Sequence, residues 1–320
     1  MNNVKVTVAV VAYNHERVIA ECLESILTQK TNFEFEIVVG DDASTDGTRQ
    51  VIQQFAEENP GRVIPLYHEQ NVGPAANYIS VHTKARGEYI AHIDGDDLML
   101  PGKLQIQVDF LDTNKDFAVC CHNMQVFIDG EKQVRNTYNV KPLPLKRDLD
   151  SLAKYGAGFC NSSNMYRRVC TEQDDIYIPG KVTGDWLVHM QKARFGYVGY
   201  IDKVLGKYRL SPTSLVHSNI ANTELVLSEL LEALEISKSY GISDAAYRYA
   251  KARIYYERAA RFLEQHQYEK FAQCIKKSVS SGGFIHGKQI VLWSGRFFVR
   301  SLQSLTKLYW YLKRKKIAKL

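Results

Sequence analysis

The feature that most constrains this chain is a short apolar run ending in three acids, Ile90-Ala91-His92-Ile93-Asp94-Gly95-Asp96-Asp97. Such runs are typical of strands buried on both faces of a parallel sheet, and ligands bind beyond the carboxyl ends of those strands. Three carboxylates in four residues repel one another unless a cation lies between them, and oxygen ligands suit Mg²⁺ or Mn²⁺. Gly95 allows a tight turn. The run predicts a metal-binding loop, with a solvated turn before a helix near Pro101 as the alternative.

Two earlier segments repeat this arrangement of a strand followed by polar residues. The β-branched run 4–12 is broken by Tyr13, and the run 33–40 ends in Asp41-Asp42. Apolar residues at helical spacing follow each run, and 62–68 supplies a further strand. Strands alternating with helices predict βαβ units and a mostly parallel sheet flanked by helices, an α/β fold.

Later segments are less regular, and their pattern predicts a division of the chain. We predict a helix from Pro101 and then a strand at 117–127 with a hairpin turn at Asp129-Gly130. Residues 136–155 form a loop in this prediction. Further strands are predicted at 158–166, 197–201 and 206–210, with a helix from Thr183 between them. Amphipathic helical segments follow Asn222. The predicted domains are 1–215, an α/β domain, and 216–320, a helical region.

Composition excludes several classes of protein. The 320 residues are 45% hydrophobic and 24% charged, and no uninterrupted apolar stretch is long enough to span a membrane. The sequence begins in a strand pattern without signal-peptide features, which predicts a cytoplasmic protein. Six cysteines without C-x-x-C spacing predict reduced thiols rather than disulfides or a zinc site.

The net charge of +6 is concentrated at the end of the chain. Eight basic residues and no acid occur in 296–320, so the rest of the chain has a net charge of 6 − 8 = −2. At 100° per residue, Arg296, Arg300, Lys307 and Arg314 fall on one side of a helix. Seven apolar residues fall on the other side: Phe297, Phe298, Leu302, Leu305, Leu308, Tyr309 and Leu312. This pattern predicts peripheral binding to an anionic inner membrane face, and packing of the apolar stripe on protein is the alternative.

Several motifs occur in an order that resembles the family 2 inverting glycosyltransferases with a GT-A, Rossmann-like fold. The matching stretches are V-x-V-A-V-V-A-Y-N, E-I-V-V-G-D-D-A-S-T-D-G-T, N-V-G-P-A-A-N, G-E-Y-I-A-H-I-D-G-D-D, T-G-D-W and Y-R-L-S-P-T-S. The resemblance covers residues 4–215, and several ordered motifs are more specific than any single one.

The resemblance implies a role for particular residues on the donor side. Ala12 and Tyr13 would lie against the nucleotide base, with Tyr13 stacking on it, and Asp42 would hydrogen-bond the base or ribose. Asp94, with Gly95 beside it, would lie on the ribose or sugar side. The family resemblance favours a UDP-sugar as donor.

The resemblance also implies a metal site and a general base. Asp96, helped by Asp97, would hold the Mn²⁺ or Mg²⁺ that bridges the diphosphate, and Asp185 matches the family's general base. Many relatives have Glu-Asp where this chain has Gly184-Asp185, and a histidine where it has Ser211. Arg209, Ser214 and His217 are the candidates to replace that histidine.

The implied function is transfer of a sugar from a nucleotide diphosphate donor to a hydroxyl of a glycan or polyprenyl-linked saccharide, with inversion, in surface polysaccharide biosynthesis such as that of capsule or O-antigen. A nucleotidyltransferase that forms nucleotide sugars is one alternative, although the chain lacks a Gly-rich basic loop after its first strand. A catalytically silent glycan-binding protein on the same fold is another. Nucleic-acid binding is not expected, because the basic residues gather in one terminal segment.

Overall fold

The structure is a computed structural model that describes residues 4–128, 136–171, 184–210 and 222–296. The chain forms two compact units. The first comprises Met1–Leu152 and Gly156–Ser214, and the second comprises Ala153–Tyr155 and Leu215–Leu320.

The first unit is built on one mixed sheet with flanking helices, which confirms the predicted α/β class. In the described residues the strand order is β3-β2-β1-β4-β9-β6-β10-β5, with β7 beside β6 and β8 beside β10. The strands are β1 (Val6–Ala12), β2 (Phe35–Asp41), β3 (Val63–Tyr67), β4 (Tyr89–Asp94), β5 (Leu98–Met99), β6 (Phe117–Ile128), β7 (Asn136–Thr137), β8 (Lys146–Arg147), β9 (Met165–Arg167) and β10 (Tyr197–Leu210).

The long strands pair in parallel, as predicted. β1 pairs with β2 and β4, β2 with β3, and β6 with β10, all in parallel. Antiparallel pairings in the described residues join only two or three residues each. The helices that alternate with the first strands are α1 (Ile19–Leu27), α2 (Thr48–Glu58), α3 (Pro74–Thr83) and α4 (Lys103–Thr113).

An apolar core holds these elements together. Val8 and Val10 of β1, Ile37 of β2 and Ile93 of β4 are fully buried with side chains of α1 and α4 such as Leu23. Strands that are apolar on both faces can be stable only with such helical cover. The core fixes the sheet, and the sheet fixes where its loops emerge.

Three predicted elements differ from the structure. The predicted strand 158–166 is a turn of 3-10 helix (Asn161–Ser163) followed by the short β9. The two predicted strands 197–201 and 206–210 are one strand, β10, whose pairing register shifts between Ile201 and Gly206. The predicted loop 136–155 contains β7, β8 and a helix, α5 (Leu149–Tyr155), capped by the Asp148 carboxylate, which accepts from Ser151 N at 2.8 Å. The predicted turn at Asp129-Gly130 lies outside the described residues.

The second unit is helical in the part described, as predicted. Its helices are α7 (Thr223–Lys238), α8 (Asp244–Glu264), α9 (Tyr268–Gly282) and α10 (Gly287–Gly295). Phe262, Phe271 and Ile275 are among the residues of its buried core. No helix within the described ranges is both long and apolar enough to cross a membrane. The predicted basic helix lies almost entirely in residues 297–320, outside the described residues. All six cysteines are buried and unbridged, in agreement with the prediction.

Candidate active site

The carboxyl ends of the first strands place the predicted site residues at one edge of the sheet. β1 lies between β2 and β4, and its last residues pair with the ends of both: Ala12 with Asp41, and Val11 with Asp94. Asp42 N donates to the Ala12 carbonyl at 3.0 Å, and Gly95 N donates to the Val11 carbonyl at 2.8 Å. The loops that follow the three strands therefore begin side by side.

Gly95 is required at this edge because its neighbours leave no room for a side chain. A Cβ atom there would lie 2.9 Å from the Val11 carbonyl oxygen and 3.0 Å from His15 Nδ1. Real Cβ atoms rarely approach other atoms this closely, so a larger residue would push the acid-bearing loop away from β1. The sequence predicts the tight turn, and the structure adds the close approach of His15.

The loops after β1 and β2 are tied together by hydrogen bonds. Asn14 N donates to Ser44 Oγ at 3.0 Å, and Asn14 Oδ1 accepts from Thr45 N at 2.8 Å. Asn14 has a φ of 54°, a left-handed conformation that asparagine tolerates better than most residues. Next to it Tyr13 is 44% exposed, whereas Ala12 is buried. An exposed ring on an anchored loop is available for stacking.

Asp42 organises the loop that precedes α3. Its two carboxylate oxygens accept from Val72 N at 2.7 Å and from Gly73 N at 3.0 Å. Asn71 Nδ2 also donates to the Asp42 carbonyl, at 3.1 Å. The first residue of α2 is contacted by Asp46 instead, whose carboxylate accepts from Thr48 N at 3.0 Å. Asp42 is buried and thus holds residues 71–73 against the end of β2, and each of its oxygens retains one lone pair.

Asp94 is held by hydrogen bonds on both carboxylate oxygens. Its Oδ1 lies 3.1 Å from His92 Nε2, and its Oδ2 lies 3.4 Å from Ser162 Oγ. Burial opposes ionisation, but the hydrogen bond and charge of His92, together with the charge of His15 and the hydrogen bond from Ser162, outweigh it and lower the pKa of Asp94. The side chain is still 38% exposed, so a ligand can reach it.

In contrast to Asp94, both Asp96 and Asp97 have a raised pKa. Asp97 is fully buried; its Oδ1 accepts from Arg209 N at 2.9 Å, and its Oδ2 has no hydrogen-bond partner among the described residues. Burial, followed by the charges of Asp96 and Asp94, raises the pKa of Asp97 well above its usual value. Burial also raises the pKa of Asp96. The charge of His15 opposes this rise, and the charge of Asp94 adds to it. These carboxylates repel one another and one oxygen is unsatisfied, which is the donor set a divalent cation would stabilise.

The protein alone does not complete a metal site in the part of the chain that the structure describes. No group of three or more His, Cys, Asp or Glu side chains there is arranged to hold a metal ion. Asp96 and Asp97 fit a cation only if further oxygens come from elsewhere. Mg²⁺ is commonly bound in this way, by one or two carboxylates together with substrate phosphates and water.

Arg209 fastens the acid-bearing loop to β10. Its Nε donates to the Asp96 carbonyl at 2.7 Å, and its Nη2 donates to Glu21 Oε2, also at 2.7 Å. The guanidinium is nearly buried, and its geometry assigns it to positioning of residues 96–97. The other two candidates to replace the family histidine, Ser214 and His217, lie outside the described residues, as does Ser211, which stands at the position of that histidine.

Asp185 is the second residue of α6 (Gly184–Lys192). Desolvation by the surrounding protein, followed by the charge of Asp94, raises the pKa of Asp185 from 3.8 to about 6. Its side chain is nevertheless exposed, so water screens part of this shift. The position within the first turn places it where the helix dipole favours a carboxylate. The charge of Asp94 therefore acts on the Asp185 carboxyl group.

Sequence reasoning missed several residues of this site. The sequence motifs assign no role to His92, yet its Nε2 lies 3.1 Å from Asp94 Oδ1. Ser162 lies in a turn that was predicted as a strand, and His15 follows the first strand without any motif. The signal for His92 is its position two residues before Asp94, because alternate residues of a strand lie on the same side.

Comparison with known proteins identifies the family. The sequence profile described as Glycosyl transferase family 2 matches residues 7–173, more than half of the chain. This chain belongs to that family. An uncharacterised protein of Mycobacterium tuberculosis is 34% identical over 211 residues, which are 65% of this chain and 59% of that protein. A putative teichuronic acid biosynthesis glycosyltransferase of Bacillus subtilis, TuaG, is 35% identical over 35% of this chain and 44% of its own length. The chain thus spans about half the length of these relatives.

Solved structures share the fold. S. aureus TarS, residues 1–349, superposes with a TM-score of 0.62 at 20% identity, over 94% of this chain and 88% of that one. TarS has also been crystallised with UDP and with UDP-GlcNAc. The mannosyltransferase PcManGT from Pyrobaculum calidifontis, in complex with GDP-Man and Mn²⁺, superposes with a TM-score of 0.59 at 17% identity, over 96% of this chain and 88% of that one. The fold is that of GT-A glycosyltransferases.

Proposed function

We propose that this protein is an inverting glycosyltransferase that moves a sugar from a nucleotide diphosphate to a hydroxyl of a glycan or lipid-linked acceptor. The observation that carries the proposal is the meeting of Asp42, Asp94 and the Asp96-Asp97 pair at one edge of the sheet, in the field of Asp185. Membership of glycosyltransferase family 2 supports it. The teichuronic acid assignment of TuaG supports a place in surface polysaccharide biosynthesis.

The donor nucleotide in this proposal lies against the loops after β1 and β2. Tyr13 stacks on the base, beside Ala12, and Asp42 uses its remaining lone pairs to accept from the base or ribose. UDP in TarS and GDP-Man in PcManGT support a nucleotide-sugar donor in general. We propose uridine because Tyr13 and Asp42 stand in the motifs that resemble UDP-sugar enzymes.

Asp96 and Asp97 are the residues that would hold a divalent cation, Mn²⁺ or Mg²⁺. The buried unsatisfied oxygen of Asp97 and the raised pKa of both acids support this assignment. The Mn²⁺ in PcManGT supports it independently. A cation bound there would neutralise the charge that develops on the departing diphosphate.

Asp185 is the proposed general base. A hydroxyl is a weak nucleophile until its proton is removed, so inversion needs a carboxylate on the acceptor side, opposite the leaving group. Asp185 lies on a different element from Asp96 and Asp97, and it is exposed, so an acceptor can reach it. Its raised pKa suits a group that accepts a proton near neutral pH.

The acceptor is proposed to be presented at the inner membrane face, where residues 296–320 would bind anionic lipid. That part of the proposal is supported by the sequence pattern of basic and apolar residues alone.

A release assay over a panel of nucleotide sugars, with and without Mn²⁺, tests the proposal. We expect release of UDP from one UDP-sugar. An acceptor should stimulate this release, and excess chelator should abolish it. Release of pyrophosphate from a nucleoside triphosphate and a sugar phosphate would instead identify a nucleotidyltransferase. Binding of glycan without turnover of any nucleotide sugar would identify a silent glycan-binding protein.

A further inference from the structure

A row of buried polar side chains lies behind Asp94 and has no part in the proposed reaction. Tyr166 of β9 hydrogen-bonds His82 Nδ1, His82 Nε2 lies 3.1 Å from His92 Nδ1, and His92 Nε2 lies 3.1 Å from Asp94 Oδ1. Tyr166 and His92 are fully buried and His82 is 1% exposed. Three elements, β9, α3 and β4, thus contribute to one chain of hydrogen bonds that ends at a carboxylate.

Hydrogen-bond chemistry allows one neutral arrangement of this row. The carboxylate of Asp94 only accepts, so His92 Nε2 must carry a proton. If the ring is neutral, His92 Nδ1 accepts from a protonated His82 Nε2, and His82 Nδ1 accepts from the Tyr166 hydroxyl. Every donor then has an acceptor, and no charge lies among groups that water cannot reach.

The surroundings of the row keep its rings in place. Tyr78 stacks on His82 with ring centroids 3.7 Å apart and planes inclined by 17°. The Tyr78 hydroxyl in turn accepts from Lys192 Nζ at 2.9 Å, and Lys192 lies on α6, the helix that carries Asp185. Burial, with the charges of His92 and Lys192, lowers the pKa of His82 well below its usual value, which keeps this ring neutral.

We infer that Tyr166, His82 and His92 are positioning residues that fix the Asp94 carboxylate, together with Ser162, for hydrogen bonds from hydroxyl groups of the donor sugar. His92 holds Oδ1 and Ser162 holds Oδ2, so the orientation of the exposed carboxylate is set before a ligand arrives. The role in sugar recognition rests on the proposed glycosyltransferase function, whereas the order of protons in the row does not.

The order of protons is tested on the protein alone by nitrogen-15 spectra of its histidine rings. We expect His82 and His92 to be protonated on Nε2. His122 provides an internal control, because its Nδ1 lies 2.8 Å from the Asn123 carbonyl and must carry the proton there. A His92 ring protonated on Nδ1 alone, or on both nitrogens, would overturn the neutral row.

The positioning role is tested with two substitutions at His92. Leucine removes both ring nitrogens, whereas the glutamine amide can place a donor near Asp94 and an acceptor near His82. With UDP-GlcNAc, or the UDP-sugar that the release assay selects, we expect His92→Leu to raise the donor KM about tenfold with little change in kcat. The affinity for UDP alone should not change, and His92→Gln should restore most of the loss.

Two further variants separate positioning from stability. His122→Leu removes another buried histidine and should leave donor KM unchanged, whatever it does to the melting temperature. Tyr166→Phe keeps the ring and should raise donor KM in the same direction by a smaller factor, which covers the case of a His92→Leu protein that does not fold. Equal donor KM for wild type and Tyr166→Phe, with no rescue by His92→Gln, would refute positioning. Absence of turnover in the wild type would refute the proposed function. The nitrogen-15 spectra would still test the protonation of His82 and His92.

Discussion

The carboxylates in the two halves of the site are held in different ways. At the end of the strands, Asp42 accepts two backbone N–H groups, and Asp94 is held by His92 and Ser162. Asp185, on α6, is exposed, and its pKa is raised to about 6. Groups that bind a ligand benefit from being fixed in advance, whereas a base needs a pKa close to the working pH. The difference separates residues proposed to bind the donor from the one proposed to move a proton.

The largest effect should come from Asp96→Ala. This substitution removes one of two proposed cation ligands, and we expect transfer to fall by roughly three orders of magnitude. The fold should survive, because burial and Asp94 already disfavour ionised Asp96. Turnover with Mn²⁺ and melting temperature in chelator are the measurements. Wild-type turnover that persists in excess chelator would contradict the metal role.

Asp185→Asn should have the next largest effect. Asparagine resembles aspartate in shape and in favouring helix starts, but it cannot accept the proton, so transfer should fall by roughly two or more orders of magnitude. UDP affinity and melting temperature should barely move, unlike those of a variant that loses a structural cap. Near-normal transfer would end the assignment and direct attention to Asp174 or Asp175, which lie outside the described residues.

The pH dependence sharpens the same distinction. The base acts as a carboxylate, so donor-saturated transfer should rise with pH up to about 6 and level off above it. One unit below that value the rate should be about tenfold lower. The residual transfer rate of Asp185→Asn should not show this decrease at low pH. If the decrease persists in the variant, it arises from a titratable group other than Asp185.

The strands that carry the donor-side acids could be predicted because their signals are local. Each of β1, β2 and β4 is an apolar run of strand length, and parallel strands bring Asp42 and Asp94 to one edge without knowledge of any distant contact. The proximity of Asp42 and Asp94 depends on the formation of the sheet, and the alternation of strands and helices in the sequence already predicts that sheet.

The partners of those acids could not be predicted, because they arrive through long-range contacts. Ser162 reaches Asp94 from a turn before β9, a strand of three residues lying between β4 and β6. Arg209 reaches Asp96 from the end of β10, a single strand that the sequence pattern predicted as two. Nothing within a few residues of either side chain specifies these contacts.

A smaller effect is expected at the base-binding loop. Tyr13→Ala should weaken UDP binding by roughly tenfold, the order expected for one base stacked on an aromatic ring, while Tyr13→Phe should preserve it. Calorimetric titration of both variants with UDP, GDP and dTDP gives the comparison. Tighter binding of GDP or dTDP than of UDP by the wild type would refute the uridine proposal.

The smallest effect on chemistry is expected from deletion of residues 296–320, to which we assign no role in either half of the site. If this segment binds lipid through its basic side, the deletion should abolish sedimentation with anionic vesicles and leave release of the nucleoside diphosphate in solution unchanged. The combined variant Arg300→Glu, Lys307→Glu and Arg314→Glu keeps the apolar stripe, so it should lose vesicle binding without a change in melting temperature. If the stripe instead packs on protein, the deletion should lower the melting temperature, and sedimentation should be equal with and without the segment.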